Sequence, residues 1–84
     1  MSKADQINLN FILSEKLADY LITKPDMLRK FSGCSYVVFS VSNNEFNALN
    51  HELVIELKKE DKTVVKAIET GNQKEPWIFT PLYN

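Results

Sequence analysis

Asn10 and Ser14 lie one turn apart in an apolar arc of one helical segment, and Asn50 lies at the centre of the apolar face of another. A buried amide needs hydrogen-bond partners or costs about 1–3 kcal/mol. The simplest arrangement has Asn10, Ser14 and Asn50 meeting one another or bonding loop backbone. That would be either a network fixing helix register or a small polar pocket between helices. A second set, Ser40, Ser42, Asn43 and Asn44, falls in the loop after a strand. In open parallel sheets ligands bind beyond the carboxyl ends of strands, and a helix N-terminus there offers free N–H groups to an anion. These four residues are the ones that would hold a small anion or nucleotide. The loop has no glycine to let a phosphate approach its backbone, and no phosphate-loop or dinucleotide fingerprint occurs in the chain.

Other chemistry has little to work with. His51 is the sole histidine, and its helical angle turns it toward solvent. Cys34 is the sole cysteine and is far from it in sequence. Glu52 and Glu56 form an i,i+4 acidic pair of the kind that marks a solvated helix face. Nothing supplies the flanking signature of a nucleophile. The sequence predicts no catalytic residue, no metal site and no cofactor. Ten Lys and Arg against eleven Asp and Glu give a net charge of −1, which leaves no electrostatic footprint for nucleic acid or an anionic membrane. A single cysteine excludes an internal disulfide framework and fits a reducing cytosol, so a cytoplasmic location is expected. Lys3, Asp5, Glu15 and Lys16 interrupt any apolar leader. No stretch approaches the roughly 20 apolar residues of a membrane span.

The elements that position these residues read as one small α/β domain over residues 1–84. A chain of this size buries only about 60% of its unfolded surface, so the core is modest. Residues 4–23 predict a helix with Asp5 as N-cap. At 100° per residue Ile7, Phe11, Leu17, Ala18, Leu21 and Ile22 share one face, while Leu9, Leu13 and Tyr20 make a second stripe beside it. Pro25 suits the first position of a helical turn over 25–30. Residues 35–41 read as a strand. Ser42 and Glu45 have capping-box spacing for a helix over 43–60, with Phe46, Leu49, Leu53, Val54 and Leu57 inward and Ile55 outward. Asp61-Lys62 is the turn into the next strand and holds no glycine, so Asp61 is the expected left-handed residue, a conformation Asp tolerates. Residues 63–69 are a second strand.

A helix-length connection makes the two strands parallel, through a right-handed crossover. Parallel sheets normally bury both faces and have more than two strands. The sheet is therefore completed either by the C-terminal tail or by a second copy of the chain. The tail, residues 70–84, begins polar and ends in Trp77, Ile78, Phe79, Leu82 and Tyr83, with Pro76 and Pro81 limiting it to extended or edge structure. At about 25 cal/mol per Å2 those side chains contribute several kcal/mol when docked.

Asn10-x-x-Leu13-Ser14, then Tyr20-Leu21, Pro25, Val37-Val38, the Asn47 to Leu57 stretch, a Lys-rich turn from Lys58 to Lys62, and Val64-Val65 together resemble a family of small prokaryotic proteins known only as a domain of unknown function. The resemblance spans roughly residues 8–68 and departs at Asp61, where such members carry Gly. It implies a fold pattern and no activity.

These observations predict a non-catalytic homo-oligomeric module, a homodimer or a docking partner of another protein. Leu9, Leu13, Tyr20, Trp77 and Phe79 are its expected contact residues. The alternative is an anion or nucleotide binder using Ser40, Ser42, Asn43 and Asn44.

Overall fold

The Ser2 hydroxyl, not the Asp5 carboxylate, starts the first helix. In the computed structural model, which describes residues 1–82, Ser2 Oγ accepts from the Asp5 N–H at 3.1 Å and the Asp5 carboxylate accepts from the Ser2 N–H at 3.4 Å. Two free donors are thereby bonded reciprocally, and α1 runs over Lys3–Ile22. Asp5 is thus the third helical residue. Thr23 ends the helix, its hydroxyl donating to the Tyr20 carbonyl at 2.7 Å. Pro25 opens α2 (Pro25–Lys30) as its fixed φ favours. Gly33, at φ 81°, then turns the chain into β1 (Ser35–Phe39).

The capping box expected from Ser42 and Glu45 does not form. Asn43 caps α3 (Asn44–Lys59) instead, its Oδ1 accepting from the Phe46 N–H at 3.0 Å. Asn caps a helix as well as Ser does. The Ser42 N–H is turned back to Ser40 Oγ at 3.3 Å, which fixes the loop one residue out of box register. Asp61 leaves α3 at φ 58°, the left-handed turn its position requires. β2 follows over Val64–Glu69, and β3 over Trp77–Leu82.

The sheet has the order β1-β2-β3, with β1 parallel to β2 and β2 antiparallel to β3. The tail therefore completes the sheet within the chain. Its polar turn is organised by side chains. Thr70 Oγ1 donates to the Glu75 carbonyl at 2.5 Å and accepts from the Asn72 N–H at 3.0 Å, and Asn72 Oδ1 accepts from the Lys74 N–H at 2.8 Å. Pro81, which lacks an N–H, stands on the edge strand, where no ladder bond is lost. Tyr83, expected to dock with the tail, lies outside the described residues.

Strand register sorts the side chains into two faces. Tyr36, Val38, Ala67, Trp77 and Phe79 pack with Leu13, Leu17 and Leu21 of α1, joined by Phe46 of α3. Rings of Phe31, Tyr36 and Phe79 close this side, with centroids 5.9–6.3 Å apart. On the other face Val37, Phe39 and Val64 pack with Val54 and Leu57 of α3, and the Lys66 ammonium lies 4.9 Å from the Phe39 ring centroid. Phe46 thus reaches one face and Val54 the other, so α3 runs past the free edge of β1. No helix among the described residues is long and apolar enough to cross a membrane.

The buried stripe of α1 draws on both stripes of its apolar pattern. Leu13, Leu17 and Leu21 are buried with Leu9 and Tyr20 beside them, whereas Ile7, Phe11 and Ile22 are 59%, 62% and 73% exposed. Leu53 of α3, also expected inward, is exposed, and Ile55 is exposed as expected. Trp77 is 4% exposed at the end of β3. Truncating a buried Trp costs about 3–5 kcal/mol, so Trp77→Ala should lower the urea-unfolding free energy by that amount. A loss under about 1 kcal/mol would mean that the tail is not part of the core.

Candidate functional site

Parallel pairing makes alternate residues of β1 bond to β2 while those between point outward. Ser35 donates to the Thr63 carbonyl at 2.9 Å, so Val37 and Phe39 also face β2, and Val38 and Ser40 present their backbone groups to the free edge. Both are met by α3. Asn50 Nδ2 donates to the Val38 carbonyl at 2.7 Å. Asn47 takes both groups of Ser40, its Oδ1 accepting from the N–H at 2.7 Å and its Nδ2 donating to the carbonyl at 2.9 Å. Two side-chain amides thus do along the edge what a neighbouring strand would do. They also end β1 at Phe39 rather than at residue 41.

Asn50 is fully buried. Its second amide hydrogen goes to Asn10 Oδ1 at 2.8 Å, and its Oδ1 accepts from Asn10 Nδ2 and from Gln6 Nε2, each at 3.2 Å. Asn10 Nδ2 also donates to the Gln6 carbonyl at 3.1 Å. Every donor and acceptor of the Asn50 amide is engaged. Asn10 and Asn50 meet as their positions suggest. Ser14 does not join them, because α1 is rotated to aim Gln6 and Asn10 at Asn50, and that leaves Ser14 exposed. The sequence reading missed Gln6 and Asn47. Their signal was present as i,i+4 amide spacing, Gln6–Asn10 and Asn43–Asn47, with Asn50 three further on.

The strand-end loop is closed on itself. Ser40 Oγ accepts from the Ser42 and Asn43 N–H groups at 3.3 and 3.2 Å, and Asn43 caps the helix. The N–H groups an anion would use at Ser42, Asn43 and Phe46 are held by side chains of the same loop, while Ser42 and Asn44 face solvent. The five residues expected at a partner interface pack inward: Leu13 and Trp77 are buried, and Leu9, Tyr20 and Phe79 line the same core. His51 is exposed, Cys34 is half-buried and free, and no group of His, Cys, Asp and Glu fit to hold a metal exists among the described residues.

Two concavities lie against α1. A groove of about 510 Å3 runs between α1 and α3, with Ile7, Leu49 and Leu53 as its apolar walls, Gln6 and Asn10 at its base and Glu52 and Glu56 on its rim. A smaller one of about 350 Å3 lies over Trp77, Tyr20 and Pro76 beside the Lys16–Glu69 ion pair at 3.6 Å. One polar atom is orphaned. The half-buried Tyr36 has its hydroxyl oxygen buried among the rings, without a hydrogen-bond partner among the described residues. Burial, and secondarily the Cys34 thiol, pushes its pKa above the usual tyrosine value.

No family model matches this chain, and neither a curated protein nor a solved structure matches it significantly.

Asn50→Ala leaves the Val38 carbonyl and Asn10 Oδ1 without the donor each now has, and should cost about 2–4 kcal/mol in denaturant unfolding. In a double-mutant cycle, Asn10→Ala and Asn50→Ala should fail to add by about 0.5–3 kcal/mol; additive losses would mean the two amides do not act as one network. Tyr36→Phe removes an unpaired hydroxyl and should be neutral or stabilising by up to about 1 kcal/mol. A folded-state pKa above the unfolded one means the unfolded chain releases that proton first. Wild-type stability should therefore fall as pH rises past about 10, and Tyr36→Phe should remove that component.

Proposed function

We propose that this protein is a non-catalytic, self-associating module whose contact surface is the exposed stripe of α1. The observation that carries this reading is the set Ile7, Phe11 and Ile22, each more than half exposed, aligned with Ala18 within about 60° of one helix face. Single exposed apolar residues are ordinary, but several aligned down one face of a helix are what an interface presents. The Leu53 side chain, 40% exposed on α3, extends the row across the groove.

The sheet does not need a second copy, since β3 completes it in cis. Self-association therefore rests on the helix rather than on strand pairing. Anion binding at the loop has less support, because Ser40 and Asn43 already hold the backbone donors it would use. The lone free Cys34 is compatible with a reducing compartment such as the cytoplasm.

Light scattering on a sizing column should give a concentration-dependent mass rising toward twice 9.7 kDa. Phe11→Glu should hold the protein at the single-chain mass, with its thermal midpoint within a few degrees of wild type because Phe11 is 62% exposed. A wild-type chain that stays at the single-chain mass up to about 1 mM, a dissociation constant that corresponds to only about −4 kcal/mol, would overturn the reading.

A further inference from the structure

The exposed stripe of α1 is palindromic. Ile7, Phe11, Ala18 and Ile22 are separated by four, seven and four residues, and the midpoint falls between Ser14 and Glu15. An interface between two copies related by a two-fold axis must be complementary to itself, each position i meeting a position j that meets i in return. Reversing α1 about its midpoint does this. Ile7 falls opposite Ile22, and the large Phe11 falls opposite the small Ala18, on both sides of the axis. At the axis stands Ser14, exposed and small enough for close approach. Parallel pairing would instead stack Phe11 on Phe11 and Ala18 on Ala18, a bulge beside a void.

The stripe alone is narrow. A helix of 20 residues is about 30 Å long and about 10 Å wide, a footprint of roughly 300 Å2 against the roughly 800 Å2 per partner of a standard interface. The groove between α1 and α3 supplies the rest. Its wall includes Ile7, so the residue placed opposite Ile7 arrives at the groove's mouth, and that residue is Ile22, the most exposed large apolar side chain among the described residues. The groove lining carries Glu52 and Glu56 with Lys3, and the chain just beyond Ile22 carries Lys24 and Lys30, with Arg29 paired to Asp26, so two acids face two lysines in this placement. Glu15 is the one like-charged approach at the axis, and it is exposed, so its carboxylate reaches solvent.

We infer that two copies of this chain pair through antiparallel α1 helices about an axis between Ser14 and Glu15, each seating Ile22 in the other's α1–α3 groove between Ile7, Leu49 and Leu53. This rests on the self-association proposed above and specifies its geometry.

Disulfide trapping in a Cys34→Ser background tests it, because a disulfide requires Cα atoms about 4.4–6.8 Å apart. Ser14→Cys should cross-link to itself under mild oxidation. Ile7→Cys and Ile22→Cys should each stay unlinked alone and form a mixed dimer when combined. Leu53→Arg should weaken self-association at least tenfold while leaving the thermal midpoint unchanged. A protein that dimerises by light scattering but links Ile7→Cys to itself pairs in parallel, which overturns the inference and leaves self-association standing. A dimer unaffected by Leu53→Arg overturns the seating of Ile22 in the groove. Single-chain mass with no cross-link from any variant removes both the geometry and the function it rests on.

Discussion

The outward carbonyl of Val38, on the edge of β1, has to be bonded where water does not reach, and the Asn50 side chain is what reaches it. An unpaired buried carbonyl costs about as much as a well-made core contact contributes. The amide that bonds it must in turn be bonded, and it is, by Asn10 and Gln6. This chain of obligations ties β1 to α3 and α3 to α1. Asn47 repeats the device at Ser40 and stops the strand there. A sheet with a bare edge invites pairing with another chain. Here a helix runs along that edge with amides in place of a fourth strand.

The same network decides how α1 faces the core. Gln6 and Asn10 lie on the same face of the helix as Leu13, Leu17 and Leu21. Pointing Gln6 and Asn10 at Asn50 rotates it, so that Leu13, Leu17 and Leu21 go inward and Ile7, Phe11 and Ile22 go out. Two apolar stripes on one helix thus receive different tasks. One closes the domain with the rings of Tyr36 and Phe79 and with Trp77. The other is left bare, with a groove beside it, and is the basis of the proposed association.

At the opposite edge the tail performs a different closure. β3 contributes Trp77 and Phe79 to the buried face, with Pro81 placed where its missing N–H costs no ladder bond. Thr70 and Asn72 hold the turn that brings it back. The sheet is finished inside one chain, so its faces are closed by α1 and by the C-terminal half of α3 without borrowing from a second copy.

Local chemistry was enough for much of this. The periodicity over residues 43–60, the β-branched runs at Val37-Val38 and Val64-Val65, the helix-length connection between them and the left-handed turn at Asp61 were all legible, because each depends on neighbours within a few residues. So was the pairing of Asn10 with Asn50, since buried amides seek one another. What the chain order could not supply was rotation and partnership. Which residue caps α1 and α3 turns on small differences among neighbouring side chains that offer the same N–H an acceptor, whereas which stripe of α1 is buried and whether the tail closes its own sheet turn on groups far apart in sequence competing for the same dry volume. Gln6 and Asn47 take their partners, Asn50 and the Ser40 backbone, only in the folded chain. Tertiary structure settled these points because a backbone carbonyl left bare at a strand edge outweighs the small preference of an apolar helix face for one orientation over another.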